Sequence, residues 1–201
     1  SGSPRRGRRI RRKPAVERKI SADDLTPVTD ESVRQIELLR VLEGHSDGVT
    51  DVDISTDGKY VAAGSRDTNV RLWYTDRGTR IKALIGHEET VNSVAFHPFQ
   101  TLLASGGDDR TIRLWNPDKR YGIDGLTGHR ESITALDFSP DGGAMASAGK
   151  NGVIRLWNPA KFREDPYVMD EHHAEVSALA FSPDGAQFAT AGRDRTLRQW
   201  T

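Results

Sequence analysis

Apolar and polar positions alternate along the chain from residue 44 onward in four similar segments. In each segment, apolar residues stand five, eight and ten positions after an opening Gly or Glu. The steps of three and then two break the strict alternation of a β-strand, so we expect a β-bulge early in this first strand. The three sets are Val49, Val91, Ile133 and Val176; Val52, Val94, Leu136 and Leu179; and Ile54, Phe96, Phe138 and Phe181.

Each segment continues with turn residues and further short strands. A Thr-Asp-Gly or Pro-Asp-Gly turn follows the first strand at 56–58, 140–142 and 183–185, and its Gly can take the positive φ of a tight turn. Repeat two has Pro98-Phe99-Gln100 there, so its turn must differ. A second strand leads to a turn rich in Gly and other small residues, and a third strand ends in Arg-x-Trp. A fourth strand, such as residues 81–84, precedes the next segment.

The segments form an internal repeat. The pairs Gly44-His45, Gly86-His87 and Gly128-His129 recur at a constant interval, Glu171-His172 follows one position later than that interval predicts, and a Trp stands at the same offset from each opening residue. A period of this length predicts an array of supersecondary units. We place the repeats at about 44–85, 86–127, 128–170 and 171–201, within a folded region 33–201.

These residues resemble the WD-repeat family of β-propellers over roughly residues 36–201. The resemblance implies an all-β fold of four blades, each with four antiparallel strands, and a hydrogen-bonded network of His, Ser or Thr, Asp and Trp inside each blade. The network residues by position are His45, Asp67, Trp73, His87, Ser105, Asp109, Trp115, His129, Ser147, Trp157, His172, Thr190, Asp194 and Trp200. Repeat one departs with Ala63 in place of the hydroxyl and repeat three with Asn151 in place of the Asp, so their networks should be weaker.

Strand counting raises the question of how the ring is completed. The fourth unit lacks an outer strand, and residues 36–42, which precede the first unit, can complete the last blade as the N-terminal strand does in WD-repeat rings. The terminal repeats are more polar, with Asp51 and Asp53 in repeat one and Gln199 in repeat four. Three arrangements remain open: two chains forming one eight-bladed ring, part of a larger ring, or a closed four-bladed ring.

Charge separates a basic arm from an acidic body. The whole chain has no net charge, yet the segment 1–20 holds nine basic side chains and only Glu17 as an acid, so the segment 21–201 carries a net charge of minus eight. We expect residues 1–32 to be a flexible arm, with 1–3 a cloning remnant. Its anion-binding residues are Arg5, Arg6, Arg8, Arg9, Arg11, Arg12 and Lys13, which could contact nucleic acid or an anionic membrane. A solubilising linker, a nuclear address or the flank of a membrane segment would show the same composition.

No constellation predicts catalysis, a metal or a cofactor. The absence of Cys excludes disulfides, thiol catalysis and Cys-rich zinc sites. Gly44-His45-Ser46-Asp47-Gly48 matches the G-x-S-x-G pattern of hydrolases, but that motif needs a strand-to-helix elbow, whereas a strand should follow here. The pairs Asp108-Asp109 and His172-His173 could suggest acid/base or metal chemistry. However, Asp109 and His172 already belong to the blade network. We therefore expect a noncatalytic protein, located in the cytoplasm, or in the nucleus if it is eukaryotic.

A binding surface is the stronger prediction. The turns between second and third strands and the loops after each His should emerge on one face, and their residues change sign from repeat to repeat. The candidate partner-binding residues are Arg66, Asp108, Lys150, Arg193, Glu88, Glu89, Arg130, Glu131 and His173. We expect a scaffold that binds a protein or peptide, with self-association into a two-chain ring as one arrangement. The alternatives are an adaptor acting through the arm and a regulatory segment of a larger signalling enzyme.

Overall fold

The structure, a computed structural model, describes residues 38–119 and 121–201, without the side chains of residues 121 and 123. Residues 40–201 make one compact unit. The basic arm, including the seven residues from Arg5 to Lys13 expected to bind anions, lies outside the described residues, so its expected role stays a prediction.

Four antiparallel sheets follow one another along the chain, and we call them blades 1 to 4. Blade 1 contains β1 (Val49–Ile54), β2 (Tyr60–Ser65) and β3 (Val70–Tyr74). Blade 2 contains β4 (Val91–Phe96), β5 (Leu103–Gly107), β6 (Ile112–Asn116) and β7 (Tyr121–Leu126). Blade 3 contains β8 (Ile133–Phe138), β9 (Met145–Gly149), β10 (Ile154–Trp157) and β11 (Tyr167–Met169), with a short 3-10 helix at Pro159–Lys161. Blade 4 contains β12 (Val176–Phe181), β13 (Phe188–Gly192) and β14 (Leu197–Trp200).

The predicted bulge is confirmed in every blade. The pairing of each first strand with the second shifts register at the same place, between Val49 and Asp51 in blade 1 and between the equivalent residues of the others. The extra residue turns the apolar side chains on either side of the bulge toward the same face of the sheet. This explains the three-then-two spacing of the apolar residues.

The turns after the first strands are of two kinds, as the sequence predicts. In blades 1, 3 and 4, a Ser hydroxyl donates to the Asp two residues later at 2.6 Å, and Gly58, Gly142 and Gly185 all have φ +68°. Blade 2 uses His97 instead, whose Nδ1 accepts the backbone N–H groups of Phe99 and Gln100 at 3.1 Å each. An imidazole nitrogen therefore replaces the carboxylate that organises the other turns.

The apolar core lies between neighbouring blades. Three clusters of buried side chains each combine two consecutive blades, such as Val70 and Leu72 of blade 1 with Val91 and Val94 of blade 2. Burying one such side chain contributes roughly 1.5–3 kcal/mol relative to leaving it exposed. Each blade is consequently stabilised mainly by its neighbours.

The two ends of the array depart from the expected closure. Residues 38–42 form no strand, Leu38 and Leu39 are 81% and 80% exposed, and β14 pairs only with β13 among the described residues. The expectation that residues 36–42 complete the last blade of their own chain is therefore wrong for residues 38–42, while 36 and 37 lie outside the described residues. The physical reason is that blade 4 does not cover blade 1, whose Val52 remains 60% exposed. The closed four-bladed ring is not formed.

The fourth strand expected at 81–84 in blade 1 is also reduced. Only the bridges Val70 to Leu84 and Trp73 to Arg80 remain. The Ile81 N–H donates to the Leu72 carbonyl at 2.8 Å, so the segment still follows β3 without a continuous ladder.

Candidate partner-binding face

One backbone hydrogen bond fixes the turn between second and third strands in every blade. The first residue of this turn donates its N–H to a carbonyl in the loop that precedes the first strand of the same blade. The pairs are Arg66 with Gly48 at 3.0 Å, Asp108 with Thr90 at 2.9 Å, Lys150 with Ser132 at 2.9 Å and Arg193 with Glu175 at 2.7 Å. Four predicted partner-binding residues therefore occupy equivalent backbone positions while their side chains differ.

The next residue, Asp in three of the blades, holds the same turn from inside. Asp67, Asp109 and Asp194 each accept the N–H of the residue two positions later, at 3.1, 3.1 and 3.0 Å. Burial raises the pKa of Asp109, but hydrogen bonds and charge attraction from His87 outweigh it and hold the pKa well below its usual range. The Asp109 carboxylate is thus charged and held by several hydrogen bonds, which restrict the conformation of the turn.

Blades 2 and 4 contain the complete network that the resemblance implies. In blade 2, Trp115 Nε1 donates to Ser105 Oγ at 2.8 Å, Ser105 Oγ lies 2.7 Å from His87 Nε2, and His87 Nδ1 lies 2.7 Å from Asp109. In blade 4, Trp200 Nε1 donates to Thr190 at 2.9 Å, and His172 contacts Thr190 at 2.8 Å and Asp194 at 2.7 Å. Every buried polar atom in these chains finds a partner.

Blades 1 and 3 each lack one link. His45 Nδ1 lies 2.9 Å from Asp67, but its Nε2 has no partner because Ala63 offers no hydroxyl. The rings of His45 and Trp73 meet edge to face, with 5.8 Å between their centroids. In blade 3, Ser147 joins Trp157 at 2.9 Å to His129 at 2.8 Å, whereas His129 Nδ1 is unpartnered. An unpaired buried polar group costs about 1–3 kcal/mol.

The network has the residue types of a serine hydrolase triad, but its hydroxyl is not accessible to a substrate. Ser105 is fully buried, and its oxygen is occupied by the Trp115 N–H. A substrate carbonyl cannot reach such a hydroxyl, so the geometry supports a structural role.

An open depression of about 920 Å³ lies where the four turns meet. All four predicted turn residues line it: Arg66, Asp108, Lys150 and Arg193. The other predicted residues, Glu88, Glu89, Arg130, Glu131 and His173, are exposed on the loops after each His and do not line it. The structure therefore brings together the first set alone.

One of the four charged side chains forms an ion pair, and another is hydrogen-bonded to a neutral amide. Asp108 accepts from Asn92 Nδ2 at 2.7 Å, and Arg193 Nε lies 3.3 Å from Glu175. Arg66 and Lys150, on blades 1 and 3, form no ion pair with any described carboxylate. Arg66 and Lys150 are therefore the cations of the depression that no carboxylate contacts, although Asp108 also keeps its charge.

Sequence reasoning missed part of the lining. Polar residues six positions after each opening residue, on the first strands, also reach the depression. They are Thr50, Asn92, Thr134 and Ser177. The signal was present, since every repeat has a hydrogen-bonding side chain directly after the apolar residue at position five.

Other candidate sites can be placed as well. The strand β1 follows Gly44-His45-Ser46-Asp47-Gly48, so this segment lacks the strand-to-helix elbow of hydrolases. The described part of the chain has no group of three or more His, Asp or Glu arranged to hold a metal ion. It also has no helix long and apolar enough to cross a membrane.

Comparison with protein families agrees with the geometry. The family model described as WD domain, G-beta repeat, matches four segments of the chain, residues 36–74, 78–116, 122–158 and 164–201. Repeats of this family generally mediate interactions between proteins, and domains built from them are typically noncatalytic scaffolds. The four matches cover most of the chain, and each contains the first three strands of one blade. The third and fourth matches also include β7 and β11, the outer strands of the preceding blades. The chain belongs to the WD-repeat family.

Proposed function

We propose that this protein is a noncatalytic scaffold that binds an acidic segment of a partner protein in the depression between its four turns. The observation that carries the proposal is the convergence of four equivalent, rigid turn positions on one depression, with Arg66 and Lys150 left without carboxylate partners. Constrained positions repeat from blade to blade, whereas these side chains change. In repeat proteins, side chains that vary at equivalent positions of a constant backbone provide the specificity for a partner.

Electrostatics selects the class of ligand. The lining holds three basic side chains, Arg66, Lys150 and Arg193, against Asp108 and Glu175. Glu175 is paired with Arg193, whereas Asp108 keeps its negative charge, so the lining has a net charge of plus one. Arg66 and Lys150 are the side chains that can pair with an incoming Asp or Glu. Charge complementarity of this kind gives specificity and a faster association rate more than raw affinity.

The test compares peptide binding by two charge-reversed proteins. Fluorescently labelled peptides with central Asp or Glu residues are titrated with the protein, and anisotropy gives the dissociation constant. We expect the R66E/K150E variant to bind at least about tenfold more weakly, equivalent to about 1.4 kcal/mol. The matched control is K82E/R163E, which makes the same change of net charge at exposed residues outside the depression. Equal weakening in the control would show that overall charge, and not the depression, attracts the peptide.

An adaptor acting through the basic arm is the second candidate, favoured by the nine basic side chains of the segment 1–20. Binding to phosphates would show a steep salt dependence, because each neutralised phosphate releases counterions. Deletion of residues 4–20 separates the two candidates. A scaffold keeps its acidic peptide after the deletion, whereas an arm-driven adaptor loses its partner and its salt dependence together.

A further inference from the structure

Blade 1 presents an apolar face that no other part of the described chain covers. Val49, Val52 and Ile54 are 59%, 60% and 56% exposed. Their six counterparts in β4 and β8 are at most 8% exposed, because each of those strands packs on the preceding blade. The same side chains are therefore core residues in blades 2 and 3 and surface residues in blade 1.

Blade 4 presents the opposite, matching face. Leu197 is 75% exposed, whereas its counterparts Val70, Ile112 and Ile154 are completely buried against the following blade. The two faces are the two halves of the contact that recurs between interior blades.

A polar contact repeats at the interior interfaces and has no counterpart after blade 4. Thr134 Oγ1 lies 3.1 Å from the Ala148 carbonyl of its own blade and donates to the Val176 carbonyl of the next. Asn92 likewise donates to the Ile133 carbonyl at 2.9 Å. Ser177 takes the same pose, 3.3 Å from Ala191, but no described blade follows it. Its next acceptor in the repeat pattern is the carbonyl of Val49.

The outer edge of blade 4 is also incomplete. Blades 2 and 3 end in β7 and β11, but β14 has no further strand beside it among the described residues. Residues 38–42 carry the side chains of such an outer strand: Leu39 is 80% exposed, whereas Ile81, at the same repeat position, is 5% exposed. An unpaired strand edge and a segment with the side-chain pattern of an outer strand thus occur in one chain.

We propose that a second copy of this chain covers both faces, so that two copies form one ring of eight blades. Residues 38–42 of each copy pair with β14 of the other, and Val49, Val52 and Ile54 pack on Leu197 across the junction. A two-fold axis forms the same contact twice and leaves neither face open.

Charge at the junction supports a second copy as the occupant. In blade 3, Gly152 lies against the backbone carbonyls of His172 and Ala174 in the next blade. The residues at the equivalent positions of the open ends are Arg195 on blade 4 and His45 and Asp47 on blade 1. Arg195 and Asp47 are both exposed in the single chain, and the junction brings their opposite charges together.

Light scattering across a range of protein concentrations tests the proposal directly. We expect a mass of twice the 22.3 kDa chain. L197E should dissociate the dimer while leaving the circular dichroism spectrum unchanged, because Leu197 is exposed in the single chain. The matched control is I85E, which alters an equally exposed residue, 74%, away from the junction. A single-chain mass at all concentrations, an open-ended series of larger masses, or equal dissociation by I85E would each overturn the proposal.

A charge swap gives an independent readout. R195D and D47R should each raise the dimer dissociation constant several-fold, and the double variant R195D/D47R should recover it, because the pair is restored with its signs reversed. No recovery in the double variant would show that these residues do not face each other.

Cysteine trapping distinguishes a junction between copies from one within a chain. The protein has no native Cys, so S177C and V49C can be made in separate chains and mixed. Oxidation should give a disulfide-linked pair containing one chain of each kind. Absence of this product, with disulfide formation only when both substitutions lie in one chain, would mean that blade 4 meets blade 1 of its own chain.

Discussion

Single residues explain why the buried polar groups are fully hydrogen-bonded in the networks of two blades but not in those of the other two. The spacing of His, hydroxyl, Asp and Trp identifies the complete networks of blades 2 and 4 and also the gaps left by Ala63 and Asn151. These features were predictable because each depends on a residue type at one repeat position. How a missing partner changes the pKa of the His depends on how deeply that His is buried, and burial can be read only from the structure.

His129 makes stability depend on pH. Burial, with a smaller contribution from Arg155, lowers its pKa to about 4 from an ordinary 6.5. The His129 imidazole therefore becomes protonated near pH 6.5 in the unfolded chain but only near pH 4 in the folded chain. Stability is lost as the pH falls through this window, by at most about 3 kcal/mol.

We expect N151D to reduce this loss, because a carboxylate in place of Asn151 would pair with the unpartnered His129 Nδ1 and raise its pKa. Urea unfolding at about pH 7 and about pH 5 gives the difference in free energy for each protein. N116D adds the same charge at the end of β6 and serves as control. If N151D and N116D lose the same free energy on acidification, His129 is not the source.

At the scale of the element, the turns between second and third strands depend on a left-handed residue. Thr68, Arg110 and Arg195 have φ values of 67°, 64° and 67°, and Gly152 takes the same position in blade 3 at 86°. A β-branched residue in this region is strained, whereas Gly adopts it without cost from a Cβ. The Asp before it holds the turn closed despite the strain.

We therefore expect T68G to raise the free energy of unfolding by about 0.5–1 kcal/mol, since the relief of strain exceeds the added chain entropy. The reverse change, G152A, should destabilise by more than this, because its Cβ would lie 2.3 Å from the His172 carbonyl oxygen. Chemical denaturation of both variants measures the two effects. A neutral or destabilising T68G would show that this turn stores no strain.

Most elements could be predicted because their signals are local. The bulge follows from three-then-two spacing, and the tight turns follow from Thr-Asp-Gly or Pro-Asp-Gly. The strand expected at 36–42 does not form over its described residues 38–42, for the opposite reason. Its residues suit a strand, but pairing needs an edge supplied from far along the chain or from another chain. The same limit hid the depression, whose lining comes from all four repeats.

At the scale of the whole molecule, an array of blades with cores between them has weak ends. Blades 2 and 3 each pack on two neighbours, whereas blades 1 and 4 each pack on one. The apolar positions of β1 match those of β4, so these positions did not reveal which strand would be exposed; only the acidic residues Asp51 and Asp53 set β1 apart. Local stability in such arrays follows the number of neighbours.

Hydrogen exchange should display this gradient along the chain. In dilute protein, peptides covering β5, β6 and β9 should exchange most slowly, and those covering β1 and β14 most rapidly, because opening an end blade exposes only one interface. Mass spectrometry of peptic fragments measures each segment. Uniform protection from β1 to β14 would contradict an open array and indicate one cooperative closed body.

The unlike ends of this array carry a further consequence for assembly. A head on one copy that fits a tail on another has no intrinsic stopping point, so only the angle between successive blades decides whether growth ends in a ring or continues as a filament. That angle depends on close approach at Gly64 and Gly106, where an added Cβ would lie 2.9 Å from Val91 and 2.6 Å from Ile133. We therefore expect a single methyl group at either glycine to change the curvature, which would stop two copies from closing a ring and favour a polymer.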